Sequence, residues 1–467
     1  MVVVIGGGIS GLSVAWFLQS RSIPVRLLEA RAQPGGTILS SFQKGYRVEH
    51  GPNSTLQKPG HPDDALGRLI HALGLESRLL VANPLAERRY VLREGRLKPL
   101  PASPARLFLS DFFSWRAKGR LLLEPFQPRA SGEESIAQFV RRRLGQEFLD
   151  YVVEPFVAGV YAGDPEQLSV QAAVARIYAL ERDHGSLLRG ALRQGRLLKG
   201  AGLPKGRMIS FDQGMGVLPA TLAQQLTAGS VQCHCKAVSL APTRQGHWQI
   251  DSMDPAGNTE KILAKAVVLA VPAAEAAHLL APFSPGMAQT LSTIPYAPIA
   301  SVALGYPRAR VGHPLDGFGF LVPRREGVPL LGALFSSTLF ANRAPADQVL
   351  LTAFIGGTTQ PAILEQNDQL LLQQVENDLA RCVRSPTPAD FAYLTRYSAA
   401  IPQYTLGHQE RLQQLDAELT HFPTLYLRAN WRDGVSVADC VLNGERLAER
   451  IATEYTEPTL QPFGKEP

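Results

Sequence analysis

Gly6-Gly7-Gly8-Ile9-Ser10-Gly11 and Glu29 are the residues whose types and spacing carry recognisable chemistry in this chain. A G-x-G-x-x-G run permits a tight turn, lets the backbone approach a pyrophosphate, and lets a helix pack close to a strand. A carboxylate roughly 20 residues further on accepts ribose hydroxyls. Glu29, followed by Ala30, stands in that place. The reading is a dinucleotide site, and it demands three elements. Val2 to Ile5 is an apolar run with the length of a buried parallel strand. A helix from Ile9 to about Arg21 would turn its N-terminal N–H groups toward the phosphates. Val25 to Leu28 is the second strand, ending at the acid.

A second glycine pair, Gly35-Gly36-Thr37, follows, and then Glu49-His50-Gly51-Pro52-Asn53-Ser54. Nicotinamide enzymes usually go straight on to further strand–helix units. This order of motifs resembles the flavoprotein amine-oxidase-like superfamily, which implies FAD held in an extended pose. The superfamily pattern has Arg two residues before Gly35, where this chain has Gln33.

The 467 residues exceed what one core organises and predict two or three domains. With 45% hydrophobic and 19% charged residues the composition is that of a folded protein. No internal repeat is present. Four scattered cysteines (Cys233, Cys235, Cys382, Cys440) argue for a reducing compartment. Cys233-His234-Cys235 lacks the spacing of a zinc half-site, and a strand with alternating side chains is expected there, with no metal. With a strand beginning at residue 2 no signal or transit peptide is expected, and with no apolar run of about 18 residues no membrane span is expected. The expectation is a soluble or peripheral protein. The net charge of +6 is uneven. Arg189, Arg193, Arg196, Lys199, Lys205 and Arg207 lie between Gly185 and Phe211 with no acidic residue among them. Aromatic residues for base stacking are missing there, so nucleic acid is not the expected partner. An anionic membrane surface or anionic substrate fits better, and a solvated basic helix face stays open.

The elements divide the chain. Residues 1–87 form a first FAD-binding part, and 88–98 a hairpin around a Glu-Gly turn that belongs to a substrate domain. Residues 99–205 have helical periodicity. They include Leu107 to Trp115, an apolar and aromatic stretch flanked by Arg106, Arg116, Lys118 and Arg120, as an interfacial membrane contact requires. Residues 206–280 return to the first domain, with strands over Val231–Leu240, Trp248–Met253 and Ala266–Val271. Residues 281–410 form a mixed substrate domain, with strands near Ile299–Gly305, Phe318–Val322, Leu330–Ser336 and Leu350–Gly356 and a helix over Asp368–Cys382. Residues 411–467 complete the FAD domain, with a strand at Leu425–Leu427 and a helix from Gly434 through Arg450. The fold class is α/β: an extended-FAD Rossmann-like domain, a mixed α+β substrate domain and a helical membrane-binding insertion.

Four motifs in order resemble the flavin-dependent protoporphyrinogen oxidases: Gly6 to Gly11; Gly159-Val160-Tyr161-Ala162-Gly163-Asp164 with Gln167-Leu168-Ser169; Gly317 to Pro323; and Ile401-Pro402-Gln403-Tyr404-Thr405-Leu406-Gly407-His408. The similarity covers nearly the whole chain and ends with Asn430, Gly434, Val435, Val437, Asp439 and Cys440. It implies the six-electron oxidation of protoporphyrinogen IX to protoporphyrin IX late in haem biosynthesis, as hydride from a meso carbon to flavin N5 in three rounds. It further implies oxygen or a quinone as acceptor, membrane association on the cytoplasmic side, a monomer or homodimer, and handover to the next haem-pathway enzyme. No side chain is then needed as a catalytic acid, base or nucleophile, because the flavin carries the difficult step.

Carried over residue by residue, the resemblance gives Arg89 a substrate propionate, for which a guanidinium offers a bidentate fork. Gly159 lies beside the macrocycle, and Leu321, Leu334 and Phe354 sandwich it. Glu29 binds ribose; Ala30, Gly36, Thr37, Gly51, Pro52, Asn53 and Ser54 line the FAD; and Val238 contacts the adenine side. Asn430, Trp431, Val435, Ser436 and Val437 reach the flavin. One departure is Ala429, where the family commonly has Gly; an added methyl there is expected to loosen FAD packing slightly. His50 receives no catalytic role. Three other readings stay open. Coproporphyrinogen III, with four carboxylates, needs more cations, and Arg88, Arg89, Arg93 and Arg96 are near in sequence. A flavin oxidase acting on an amine or carotenoid precursor is opposed by the Ile401–His408 motif. A non-catalytic carrier on this scaffold is opposed by the intact phosphate loop.

Overall fold

The computed structural model describes residues 1–61, 63–101, 104–200, 206–385 and 387–456, without the side chains of 104, 105, 194–200 and 456. Lys205 and residues 457–467 lie outside the described residues, as do the side chains of Arg196 and Lys199.

Five parallel strands form the first sheet, in the order Val231–Gln232, Val25–Leu28, Val2–Ile5, Ala266–Leu269, Leu425–Leu427. They come from four distant stretches of chain, so the helical block and the second sheet are insertions into this layer. Successive side chains of a strand point to opposite faces. Val2 and Val4 accordingly enter one core with Leu12, Leu18 and the helix Val437–Thr456, while Val3 and Ile5 enter another with Trp248, Met287 and Trp431. A three-stranded antiparallel sheet covers residues 236–264.

The second sheet has seven strands. Across it run Phe391–Pro402, Tyr296–Pro307, Gln348–Gly356, Leu330–Leu334, Gly319–Leu321, Tyr90–Arg93 and Arg96–Pro99. The Tyr90–Pro99 hairpin joins it by pairing parallel to Gly319–Leu321. Its turn residues, Glu94 and Gly95, both have positive φ (55° and 70°), as a turn matching strand twist requires. One sheet face is closed by the helix Asp368–Val383 through Leu371, Val375 and Leu379. The other is half-buried and faces the remainder of the molecule.

Helices fill residues 104–200. Beside an apolar core that includes Ile136, Phe139, Val140, Leu149 and Val157 they bury an ionic cluster. Arg143 and Glu124 are fully buried and paired at 3.3 Å, Arg143 also meets Glu181, and Arg142 bridges Glu181 (2.8 Å) and Glu134 (2.5 Å). Glu124 additionally accepts the Ser186 hydroxyl (2.6 Å) and the Leu187 amide (2.9 Å).

Several boundaries differ from the sequence reading. Residues 233–235 form a turn between Val231–Gln232 and Lys236–Pro242, not part of one strand; His234 has φ +54°, which no extended strand accommodates. Both cysteines there are free, and no metal-ligating cluster exists among the described residues. The Leu107–Trp115 stretch spans the end of Pro104–Leu109 and the start of Trp115–Leu122, with Ser114 capping the second helix through the Ala117 amide (3.2 Å). The last helix begins at Val437; Gly434, at φ 129°, ends a short helical turn over Asn430–Asp433. Phe391–Pro402 is an edge strand that the sequence reading lacks.

Candidate functional site

The glycine loop is built by close approach. A Cβ on Gly11 would lie 2.0 Å from the Gly6 carbonyl oxygen, and Gly6 itself has φ +109° with the Ala270 carbonyl oxygen 2.5 Å from where its Cβ would be. Helix Ile9–Gln19 can therefore lie directly against the Val2–Ile5 strand. Beside Gly8 the space is open, with nothing within 4 Å of the place a methyl would take. Glu29 closes the loop from below. It accepts the Gly7 amide at 2.7 Å and the Arg31 amide at 2.8 Å, while Gly7 has no room for a side chain against it.

The second glycine pair lies on the first. Gly8 and Gly35 form an isolated parallel bridge, the Gly35 amide donates to the Gly7 carbonyl at 2.8 Å, and Gly36 has φ +62°. Arg31 donates to the Gly36 carbonyl at 2.9 Å, so a guanidinium stands beside this pair despite Gln33. Gly51 packs on the Thr37 carbonyl, where a Cβ would sit 2.2 Å away, and Pro52, Asn53 and Ser54 are half-buried behind it. Val238 is the bulged residue of its strand pair, and Ala30 is exposed next to Glu29.

The Asn430–Val437 segment closes the far end. The Tyr404 hydroxyl donates to the Asn430 carbonyl and accepts the Gly434 amide at 2.9 Å. Trp431 is wholly buried and donates its indole N–H to the Val271 carbonyl at 3.0 Å, so its ring supports the segment from behind. Ser436 caps the last helix through the Asp439 amide (3.1 Å), Val437 is buried in the first core, and Val435 packs against the helical block. Ala429 is in extended backbone (φ −149°, ψ 172°) with its methyl in the second core, so Ala in place of Gly brings no backbone strain.

On the half-buried face of the seven-stranded sheet, register places Leu321, Gly332 and Phe354 in one row, and Leu334 in the next, opposite Thr352. Gly159, on helix Glu154–Tyr161, abuts this row; a Cβ there would lie 2.7 Å from Leu321 Cδ2. Arg89 lies over the Phe318 ring (5.3 Å), and Phe318 and Leu334 both pack against the buried cluster of Ala86, Leu339 and Phe340. Arg89 makes no ion pair among the described residues. Its sequence neighbours are committed elsewhere, Arg88 to Asp316 and Arg93 to Glu147 (3.0 Å). His50 bridges Thr395 (3.1 Å) and Ser41 (3.0 Å), and burial lowers its pKa.

Three supports escaped the sequence reading. Glu49 is buried, accepts the Met215 amide (3.0 Å) and the Ser40 hydroxyl (2.5 Å), and faces the buried Arg343 at 3.5 Å. Gln403 donates to the Tyr161 carbonyl (2.8 Å), fastening one motif to another. Buried His408 stacks on Tyr404 (4.4 Å), and burial followed by the charge of Arg411 lowers its pKa to about 4. Glu49 stands in the Glu49–Ser54 run and Gln403 and His408 in the Ile401–His408 motif, but the partners of all three are distant in sequence or set by packing, so their contacts were not readable.

A chain with this loop, this acid and these two sheets was compared with known proteins. Residues 9–452 match the profile described as flavin containing amine oxidoreductase. The chain belongs to that family. Its cofactor is FAD, and the glycine clearances, the open space at Gly8 and the Glu29 carboxylate fit such a group. Within the family it is 35% identical over 482 residues to the chloroplastic protoporphyrinogen oxidase of Oryza sativa subsp. japonica, covering 97% of this chain and 88% of that one. It is also 28% identical to the coproporphyrinogen III oxidase of Bacillus subtilis (strain 168), covering 95% and 96%. A crystal structure from Exiguobacterium sp. 255-15, described as a candidate protoporphyrinogen oxidase, superposes with a TM-score of 0.81 at 25% identity, covering 97% and 98%.

Proposed function

We propose that this chain oxidises protoporphyrinogen IX to protoporphyrin IX, with oxygen as the final acceptor. The observation that carries the reading is the sheet face on which Leu321 and Phe354 share a row with Leu334 in the next, together with Arg89, whose guanidinium lies over Phe318 and makes no ion pair among the described residues. A large, flat, apolar macrocycle needs a flat apolar wall and a cation at one end for its carboxylates. Bound FAD supplies the acceptor for hydride leaving a meso carbon. Leu321, Leu334 and Phe354 hold the ring and exclude water. Gly159 borders this wall, where a Cβ would meet Leu321 Cδ2 at 2.7 Å. Arg89 offers a propionate a bidentate fork. Glu29 and the open edge of the glycine loop hold the ribose and pyrophosphate of the cofactor.

Charge separates this reading from coproporphyrinogen III. Of the four nearby arginines, Arg88 and Arg93 are neutralised by Asp316 and Glu147, and Arg96 sits at the hairpin tip opposite Arg93. Arg89, over Phe318, and Arg96 make no ion pair among the described residues, which suits two propionates better than four carboxylates.

The helical block supports peripheral membrane contact. Trp115, Leu122, Leu123 and Phe126 are exposed, Lys118 lies over the Trp115 ring at 4.3 Å and Arg189 over Phe126 at 6.0 Å. Exposed aromatics suit a lipid interface, with Arg189 as the exposed cation beside them, since Lys118 is buried and donates to the Ser110 carbonyl at 2.7 Å. Among the described residues no helix is long and apolar enough to cross a membrane.

The test is to purify the chain, record its flavin spectrum, and follow porphyrin fluorescence with protoporphyrinogen IX and coproporphyrinogen III supplied separately. Faster turnover of the first is expected. Preference for the second moves the chain to coproporphyrin formation, and turnover of neither overturns the enzymatic reading.

A further inference from the structure

Two adjacent residues just past the edge strand Phe391–Pro402 hold two different parts of the molecule. Gln403 is buried and donates its side-chain amide to the Tyr161 carbonyl at 2.8 Å, at the end of the helix that carries Gly159. Its other side-chain atom explains Gly163, where a Cβ would lie 2.3 Å from Gln403 Oε1. Tyr404 accepts the Ser169 amide on its backbone carbonyl at 2.8 Å, while its hydroxyl goes to the Asn430–Asp433 turn.

That hydroxyl donates to the Asn430 carbonyl and accepts the Gly434 amide at 2.9 Å. The two groups are four residues apart, the pair that a helical turn ordinarily joins directly. A side chain placed into such a pair opens and bends the helix. The ring is held on both faces of the motif: it stacks on His408 at 4.4 Å and meets Tyr161 at 6.1 Å. Burial raises the pKa of the phenol well above its ordinary value, so the hydroxyl keeps the proton it donates.

The turn stands at the cofactor edge of the parallel sheet. Asn430 lies just beyond strand Leu425–Leu427, as Gly6 lies just beyond Val2–Ile5, and ligands of such sheets bind outside these carboxyl ends. Trp431 ties the turn to the Val271 carbonyl, past the end of the strand between them. The helix Val437–Thr456 then packs on the glycine-loop helix, with the place of a Gly444 Cβ only 2.9 Å from Ser13 Cβ.

We propose that Tyr404 is a positioning residue for hydride transfer, its hydroxyl holding the Asn430–Asp433 turn open against the flavin. Gln403, one residue away, holds the Gly159 helix at the substrate wall, so one short stretch of backbone sets the separation of the two. The inference rests on the substrate face and FAD site proposed above. Hydride transfer needs reacting atoms about 3–3.5 Å apart, and a displacement of about 1 Å costs on the order of 100-fold. Without the hydroxyl, the Asn430 carbonyl and Gly434 amide have each other as partners, so the turn closes with little loss of stability.

The experiment compares the FAD-loaded full chain with Tyr404→Phe. Before any substrate is added, the visible flavin band of the variant should move toward that of free FAD, with the unfolding midpoint retained. In anaerobic stopped flow with protoporphyrinogen IX, flavin reduction at saturation should slow at least about tenfold, while the half-saturating concentration changes less than about twofold. Tyr404→para-aminophenylalanine, whose amino group again donates and accepts, should restore both band and rate. Gln403→Met, which loses the bond to Tyr161, should slow reduction with the flavin band unmoved, and serves if Tyr404→Phe does not fold. Parental band and rate in Tyr404→Phe overturn the proposal, as does a loss that the amino group does not restore. Parental rate in Gln403→Met overturns the shared-spacing claim. A parent chain whose flavin protoporphyrinogen IX does not reduce fails the substrate reading, whereas the band shift and its rescue, which need no substrate, decide the hold of Tyr404 on the turn.

Discussion

In the parallel-sheet region, charge is kept to the margin. Val2 to Ile5 is apolar and buried throughout, and the carboxylate proposed to hold ribose, Glu29, meets backbone N–H groups where the strands end. The helical block has an apolar core too, but buries charge as well. Arg143 and Glu124 are fully buried at its centre, with Glu181 and Arg142 around them, whereas Leu109, Trp115 and Phe126 are 87%, 80% and 76% exposed. The first arrangement suits a layer that keeps water out and presents backbone dipoles to a pyrophosphate. The second suits a block whose outer surface has an apolar neighbour. Buried ion pairs often contribute little net stability, but each partner is expensive to leave alone, so they dictate which helices meet. Fixing those helices by charge leaves large apolar side chains free for the exterior.

The largest expected effect breaks the ionic centre. Arg143→Leu leaves Glu181 and Glu124 facing no charge from that position, and should cost about 3–5 kcal/mol by urea unfolding. A loss under about 1 kcal/mol would show that the block holds together by its apolar contacts alone. The corresponding test of the parallel-sheet region is Gly11→Val. Its side chain would meet the Gly6 carbonyl oxygen, so FAD retention should fall by at least about 100-fold, about 3 kcal/mol, as read by equilibrium dialysis.

A smaller effect concerns His408, whose pKa near 4 reflects burial first and Arg411 second. The unfolded chain binds this proton with an ordinary pKa of about 6.5, so stability from the neutral ring is complete above that value. It is lost as pH falls toward 4. Between pH 7 and pH 5 the loss should be about 2 kcal/mol, and His408→Phe, which keeps a ring against Tyr404, should lack that part of the acid slope. The smallest effect on folding belongs to Trp115→Ala. Stability should change by no more than about 0.5 kcal/mol, because the ring is exposed, while association with phosphatidylglycerol vesicles weakens severalfold. A strong destabilisation would mean that Trp115 is a packing residue.

These two regions were unequally legible in the sequence. The glycine loop, its strand and Glu29 are constrained locally: Gly6 needs positive φ, Gly11 needs closeness, and strand period sets the rest. Ala266–Leu269 and Leu425–Leu427 were readable for the same reason. The strand Phe391–Pro402 was not, because its half-exposed edge carries Tyr393, Thr395 and Tyr397 in place of an apolar run. Cys233 to Cys235 misled because alternation was counted across a turn whose left-handed residue is a histidine. The Glu49–Arg343 pair and the Arg143 cluster join residues far apart in sequence, and no local pattern announces them. For the candidate substrate face, Leu321, Phe354 and Gly159 were named by resemblance, and sheet register and helix packing bring them together. That Arg88 and Arg93 are tied to acids, while Arg89 and Arg96 make no ion pair among the described residues, emerged only from the fold.

The most direct measurement is an anaerobic one. FAD-loaded chain is mixed with protoporphyrinogen IX without oxygen, and the flavin absorbance is followed against coproporphyrinogen III at equal concentration. The account predicts bleaching by both, faster with protoporphyrinogen IX, and recovery of colour when air is admitted. Flavin that stays oxidised in the presence of protoporphyrinogen IX would contradict it.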